Sequence, residues 1–178
     1  MKTAILDRDG VINYDSSAYI KNPDEWHAIP GSLQAIALLN QAGWRVVVAT
    51  NQSGLARGYF TMSDLNAIHL KMQQQLTAVG AHVDAIFMCP HGPDEGCTCR
   101  KPLAGMFIDI GRRYELDLAR CYAVGDSLRD LQAASAVGCN TALVLTGNGS
   151  QTQDQAIPQG TIIQPDLAAV VRYWLDHS

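Results

Sequence analysis

Short apolar, β-branched runs alternate along this chain with longer stretches in which apolar residues recur every three or four positions. The first pattern suits strands and the second suits helices that bury one face, because side chains alternate across a strand and repeat about every 3.6 residues around a helix. Residues 2–6 read as the first strand. Residues 14–30 are too irregular to be helix or strand throughout, but they carry Tyr19, Trp26 and His27 and are expected to pack over something. Pro30-Gly31-Ser32 then starts a helix with Ser32 as its predicted N-cap, Leu33, Ile36, Ala37 and Leu39 as its buried stripe, and Ala42-Gly43 as its end. Residues 44–49 form the second strand. A helix capped by Ser63 is predicted to run to about Val79 and to turn Leu65, Ile68, Met72 and Leu76 inward. Strands at 83–88, 121–124 and 141–145 follow, interleaved with a helix over 105–113 and another after Ser127. Residues 146–160 are polar and predicted to be mobile, Ile162 and Ile163 add a short strand, and 167–175 close the pattern as a helix.

This alternation predicts an α/β fold of three layers, a Rossmann-like parallel sheet with helices on both faces. No repeat or linker divides the 178 residues, so 1–178 is read as one domain. The connections between the early strands are too short to hold a large cap domain.

Composition adds exclusions. A net charge of −4 without a long basic run argues against a nucleic-acid partner. No apolar stretch reaches the roughly 18 residues that would cross a bilayer, and the chain enters its first strand without a charged-then-apolar leader. A cytoplasmic monomer without membrane association is expected. Five cysteines fit that setting, since three crowd into 89–99 beside His91 while Cys121 and Cys139 lie alone in apolar surroundings.

The candidate chemistry sits at strand ends. Asp7 and Asp9 follow the first strand and flank one residue, so on an extended path both carboxylates point the same way. Two such charges call for a cation, and Mg²⁺ is the hard ion that suits carboxylate oxygens in a phosphate site. Thr50-Asn51-Gln52-Ser53-Gly54 follows the second strand and suits a loop that wraps an anion with backbone N–H groups. Cys89, His91, Cys97 and Cys99, spaced C-x-H-x₅-C-x-C, fit a closed tetrahedral Zn²⁺ site of structural kind. That loop delivers Arg100-Lys101-Pro102, and Asp126 with Asp130 follows the fourth strand. His69, alone on its helix, is given no role.

Taken together, D-x-D-G-V, T-N-Q-S-G, R-K-P and G-D-x-x-x-D resemble the haloacid dehalogenase superfamily of phosphatases over nearly the whole chain to about Leu145. The cysteine-histidine loop and N-Q-S-G-L-A-R-G-Y-F are similar to its heptose 1,7-bisphosphate 7-phosphatase branch, a neighbour of the histidinol-phosphatase branch. Residue chemistry makes Asp7 a feasible nucleophile toward phosphorus, Asp9 the acid and then base, and Thr50 and Lys101 the partners of the transferring oxygens. The resemblance implies that Asp7, the backbone oxygen of Asp9, and Asp126 hold Mg²⁺, with Asp130 in support. It further implies substrate contacts at Asn51, Gln52, Ser53, Arg57 and Arg100, a looser match at Asp15 and Tyr19, and Ser127 where the branch often has a lysine. Arg57 and Arg100 favour a sugar bisphosphate, as an intermediate for the lipopolysaccharide core, over histidinol phosphate or another small phosphorylated metabolite. A signalling receiver domain fits poorly, because its acceptor aspartate follows the third strand, and here that strand ends in Cys89. A zinc-stabilised interaction domain without activity is the remaining alternative.

Overall fold

The computed structural model describes residues 1–177. Six parallel strands, β1 (Thr3–Leu6), β2 (Arg45–Asn51), β3 (Ala85–Cys89), β4 (Tyr122–Gly125), β5 (Asn140–Val144) and β6 (Ile162–Gln164), form one sheet in the order β3-β2-β1-β4-β5-β6. The helices are α1 (Ser32–Gln41), α2 (Met62–Ala78), α3 (Gly105–Tyr114), α4 (Leu128–Ser135), α5 (Gly149–Thr152) and α6 (Leu167–His177). Strand alternation builds two cores. Ala4, Leu6, Val46, Val48, Val124 and Val144 face α1, α2 and α6, while Ile5, Val47, Ala49 and Ala123 face Phe107 and Ile110 of α3 and Ala133 and Ala134 of α4. The predicted three-layer architecture is therefore present, and the β1–β2 and β2–β3 connections carry one α-helix each with loops, the first also a 3₁₀ turn at Pro23–Glu25, not a large cap.

Local chemistry moves several boundaries. Ser32 is not the N-cap of α1. Gly31 takes that position in the left-handed region (φ 86°), and the buried Ser32 hydroxyl donates to the Val11 carbonyl at 2.8 Å. Thr61, not Ser63, caps α2: its hydroxyl accepts from Asp64 N–H at 3.2 Å, and Asp64 Oδ2 accepts from Thr61 N–H at 2.7 Å. The 14–30 segment packs as expected. Trp26 is wholly buried beneath it, and Lys71 Nζ on α2 donates to the carbonyls of Pro23 and Trp26 at 2.6 and 2.8 Å. The largest departure is the 146–160 stretch. It holds α5 and a bonded turn instead of a loose loop, because its hydroxyl and amide side chains are spent on the β1 and β4 ends.

No helix among the described residues is long and apolar enough to cross a membrane.

Candidate active site

The sheet reverses its winding between β1 and β4, where the two flanking connections diverge and leave a crevice at the strands' carboxyl ends. Asp7 follows β1 and Asp126 follows β4, so the topology alone sets two acids side by side. The cleft there holds about 320 Å³ and is lined by Asp7, Asp9, Asp15, Tyr19, Asn51, Gln52, Ser53, Arg57, Arg100, Lys101, Asp126, Arg129 and Asp130, among others. Ligand sites typically span about 300–1,000 Å³, so this one suits a small polar molecule. A wider depression of about 920 Å³ around Trp44, Arg45 and Tyr114 lies at the opposite strand ends, away from the acids.

Lys101 is the hinge of the charge arrangement. Its side chain is 2% exposed, and its Nζ lies 2.9 Å from Asp7 Oδ1 and 2.7 Å from Asp130 Oδ1 and donates to the Ala49 carbonyl at 2.8 Å. Asn51 fixes the backbone of that residue, donating from Nδ2 to the Lys101 carbonyl at 3.0 Å and accepting from its N–H at 3.1 Å. One buried cation cannot balance three buried acids. Burial, and then the Asp130 charge, hold Asp7 well above the ordinary carboxylate value even with Lys101 beside it. The same two causes push Asp126 up to about 7. Asp130 goes the other way. Burial would raise it, but the Lys101 charge and hydrogen bonds from Lys101 and Ser127 hold it low.

Asp7, Asp126 and Asp130 each bring one carboxylate oxygen within 4.8 Å of the others. Hard oxygen donors with uncompensated negative charge are what a Mg²⁺ site requires, and the residues present fit that ion. The backbone around Asp126 is shaped for close approach, since a Cβ on Gly10 (φ 85°) or Gly147 (φ 57°) would strike its carboxylate. Asn148 donates to Asp126 Oδ2 from its backbone N–H at 2.8 Å and from Nδ2 at 3.2 Å, and the Thr152 hydroxyl donates to the Asp126 carbonyl at 2.8 Å.

Asp9 is held separately. Arg8, fully buried, donates to Asp9 Oδ1 from Nε at 3.1 Å and Nη2 at 2.8 Å, Asn13 Nδ2 donates to the same oxygen at 2.9 Å, and Gln52 Nε2 donates to Oδ2 at 2.9 Å. Burial alone would raise Asp9, but the Arg8 charge and these hydrogen bonds bring it below the ordinary value. Arg8 also meets His69 Nε2 at 3.1 Å through Nη1. Burial and the Arg8 charge depress His69 to about 4, so the neutral ring accepts from the guanidinium. Nothing local in the sequence signals this contact, because it spans 61 positions.

Of the residues singled out from sequence for catalysis, Mg²⁺ or substrate, most line the cleft, with two placed differently. Thr50 is wholly buried at the end of β2 and takes a hydrogen bond from Gln52 Nε2 at 2.9 Å. Ser127 turns its hydroxyl to Asp130 Oδ2 at 2.6 Å and caps α4. Arg8, Asn13, Arg129, Asn148 and Thr152 are additions that motif reading missed.

The Cys89 sulfur lies 3.2 Å from the Cys99 sulfur, 3.7 Å from that of Cys97 and 3.6 Å from His91 Nδ1, which is 3.4 Å from the Cys99 sulfur. These thiols are unbridged and, with the ring nitrogen, form a compact group able to hold a metal ion. Arg100 Nη1 donates to the His91 carbonyl at 3.3 Å, which ties the group to the cleft.

The chain is similar to known proteins in both sequence and fold. A HAD-hydrolase-like family model matches residues 98–170. The chain is 63% identical over 179 residues to D-glycero-beta-D-manno-heptose-1,7-bisphosphate 7-phosphatase of Bordetella bronchiseptica, covering 100% of both, and 54% identical over 172 residues to that of Pseudomonas putida, covering 97% of this chain and 98% of the other. It superposes on the crystal structure of D,D-heptose 1,7-bisphosphate phosphatase from B. bronchiseptica, complexed with magnesium and phosphate, with a TM-score of 0.98 at 62% identity and full coverage of both chains. A crevice acid pair, its buried lysine and a cysteine-histidine loop, carried on a sequence this similar from end to end, place the chain in the haloacid dehalogenase-like family of heptose 1,7-bisphosphate 7-phosphatases.

Proposed function

We propose that the chain is a Mg²⁺-dependent phosphatase that removes the 7-phosphate of D-glycero-D-manno-heptose 1,7-bisphosphate, with Asp7 as nucleophile. The observation that carries this reading is the uncompensated acid cluster at the β1–β4 crevice, with Lys101 reaching Asp7 at 2.9 Å. Relatives at 50–63% identity carry the β-anomer in their names, so the β-bisphosphate is the substrate form to test first.

Asp7, the Asp9 backbone oxygen and Asp126 would hold Mg²⁺, which when bound screens the repulsion between a carboxylate nucleophile and a phosphate dianion. Lys101 keeps Asp7 oriented and offers positive charge to the transferring oxygens. Attack by Asp7 oxygen on phosphorus breaks the ester bond and leaves an aspartyl phosphate. Asp9 gives the leaving alkoxide its proton and later takes one from the water that attacks the aspartyl phosphate. Its depressed pKa keeps Asp9 ionised, the form that the base half needs. For the acid half, the negative charge of an arriving phosphate would act to raise the carboxyl. Thr50 sits at the end of β2 beside this centre, and Gln52 links its hydroxyl to Asp9. Asp130 supports Lys101 from behind. Asn51, Gln52, Ser53, Arg57 and Arg100 line the cleft on one side, with Asp15 and Tyr19 on the first loop.

Zn²⁺ is the ion we assign to Cys89, His91, Cys97 and Cys99. Zinc–sulfur bonds of about 2.3 Å in a tetrahedron put sulfurs roughly 3.7 Å apart, the spacing of the Cys89 and Cys97 sulfurs, while those of Cys89 and Cys99 lie closer, at 3.2 Å. We place the reaction in the cytoplasm, in the synthesis of nucleotide-activated heptose for lipopolysaccharide, and expect a monomer.

The test is kcat/KM for both anomers of heptose 1,7-bisphosphate, histidinol phosphate and several sugar monophosphates. A clear preference for the bisphosphate supports the assignment. Preference for histidinol phosphate moves the chain's activity to the neighbouring branch, and a flat profile makes it a generalist.

A further inference from the structure

The guanidinium groups that line the cleft come from three elements: Arg57 after β2, Arg100 after the cysteine-histidine loop, and Arg129 in the first turn of α4. Lys101 and Arg8 are buried and committed to Asp7, Asp130 and Asp9. Arg100 is tethered by the His91 carbonyl. Arg57 is exposed and forms no ion pair among the described residues, and Arg129, on the helix that follows Asp126, is likewise exposed and unpaired although Asp15 lines the same cleft. Arg129 is near enough to Asp15 and Asp130 to lower both carboxyls, against the burial that raises them. An uncommitted cation at the rim of an acid-lined cleft is electrostatically placed for an anion that arrives with the substrate.

Ser127 sharpens the point. Residue 127 is the first after Asp126, but its side chain is turned away to cap α4 and bonds Asp130, and it is absent from the cleft wall. Arg129, two positions on, is the residue of the Asp126–Asp130 segment that brings positive charge to the wall.

We propose that Arg129 is a specificity-determining residue that binds the substrate phosphate farthest from Asp7, bringing positive charge to the Asp126 side of the cleft. This rests on the bisphosphatase reading above. The reacting phosphate belongs at the crevice floor with Asp7 and Lys101, both largely buried, and the second phosphate of a sugar bisphosphate must then lie toward the exposed rim. There the planar guanidinium can pair bidentately with two phosphate oxygens. A monophosphate of the same sugar has no group to engage it.

Steady-state kinetics of wild type, Arg129→Gln and Arg129→Lys on heptose 1,7-bisphosphate and heptose 7-phosphate test the role. Arg129→Gln should raise KM for the bisphosphate roughly 10–100-fold, the size of one charge-assisted pair, with a much smaller change in kcat. The bisphosphate-to-monophosphate ratio of kcat/KM should fall by the same factor, and Arg129→Lys should recover part of it. Equal losses on both substrates, or an unchanged ratio, overturn the proposal. A wild type that does not prefer the bisphosphate overturns the substrate reading and the Arg129 role together, whereas a wild-type preference retained in Arg129→Gln overturns the Arg129 role alone.

Discussion

Two clusters in this chain bring together side chains that could hold a metal ion, and they differ in almost every physical respect. The crevice group, Asp7, Asp126 and Asp130, has hard oxygen donors, faces a cleft, and carries more negative charge than Lys101 can balance. The loop group, Cys89, His91, Cys97 and Cys99, has soft donors gathered within eleven positions and stands outside the cleft wall. An unbalanced open cluster is a place for chemistry, because charge must be supplied by an ion and a substrate. A closed soft cluster is a place for shape. The two are joined by the shortest of links, since Arg100 and Lys101 follow Cys99 directly. On the zinc assignment proposed above, the soft cluster would hold in place the cations on which the hard cluster depends.

The comparison is broken most severely at the nucleophile. Asp7→Asn should lower turnover on the order of 10⁴-fold or more while preserving shape, as loss of a covalent nucleophile does elsewhere. Activity within about tenfold of wild type would contradict the role given to the open cluster. Lys101→Met comes next. It strands Asp7 and Asp130 in a buried site, so denaturant unfolding should show a loss of about 3–5 kcal/mol, and kcat should fall roughly 10²–10³-fold. A variant of wild-type stability would mean the pair is not compensating buried charge.

The hard cluster also predicts a pH dependence. Without Mg²⁺, Asp126 at about 7, and Asp7 likewise raised, bind protons in the folded state that the unfolded chain has released. Between the ordinary value of 3.8 and about 7 the metal-free protein should therefore lose stability from these groups as pH rises. Bound Mg²⁺ favours the ionised forms, so the Tm gain from saturating Mg²⁺ should grow across that window. A gain independent of pH would separate the ion from these acids.

How much of this was legible depends on how far each signal reaches along the chain. Strand alternation at Ala4-Ile5-Leu6 and Val46-Val47-Val48 and the stripe Leu65-Ile68-Met72-Leu76 gave the layers, because burial follows the period of the backbone. Asp7, Asp9, Lys101 and Asp126 were visible because parallel strands bring their carboxyl ends to one edge. The caps were local but ambiguous. Thr61 and Ser63 both stand at the start of the helix, and Asp64, three residues past Thr61, decides between them; Ser127 and Asp130 repeat that spacing. The 146–152 turn was illegible, since Thr146, Asn148 and Thr152 look like loop residues until β1 and β4 stand beside them. The Arg8–His69 contact was hidden for the same reason. Thr61→Ala gives the smallest predicted effect, a loss of about 1 kcal/mol in denaturant unfolding with kcat/KM unchanged, because this cap lies outside the cleft wall.

The most direct measurement of the central assignment is acid quenching of the wild-type enzyme during turnover of its bisphosphate substrate with Mg²⁺, followed by mass spectrometry of the peptide that contains Asp7 and Asp9. An acid-stable, hydroxylamine-sensitive phosphoryl group on Asp7, absent from Asp7→Asn, is the predicted result. Phosphate found on another residue, or phosphoenzyme still formed by Asp7→Asn, would contradict Asp7 as the nucleophile of the open cluster.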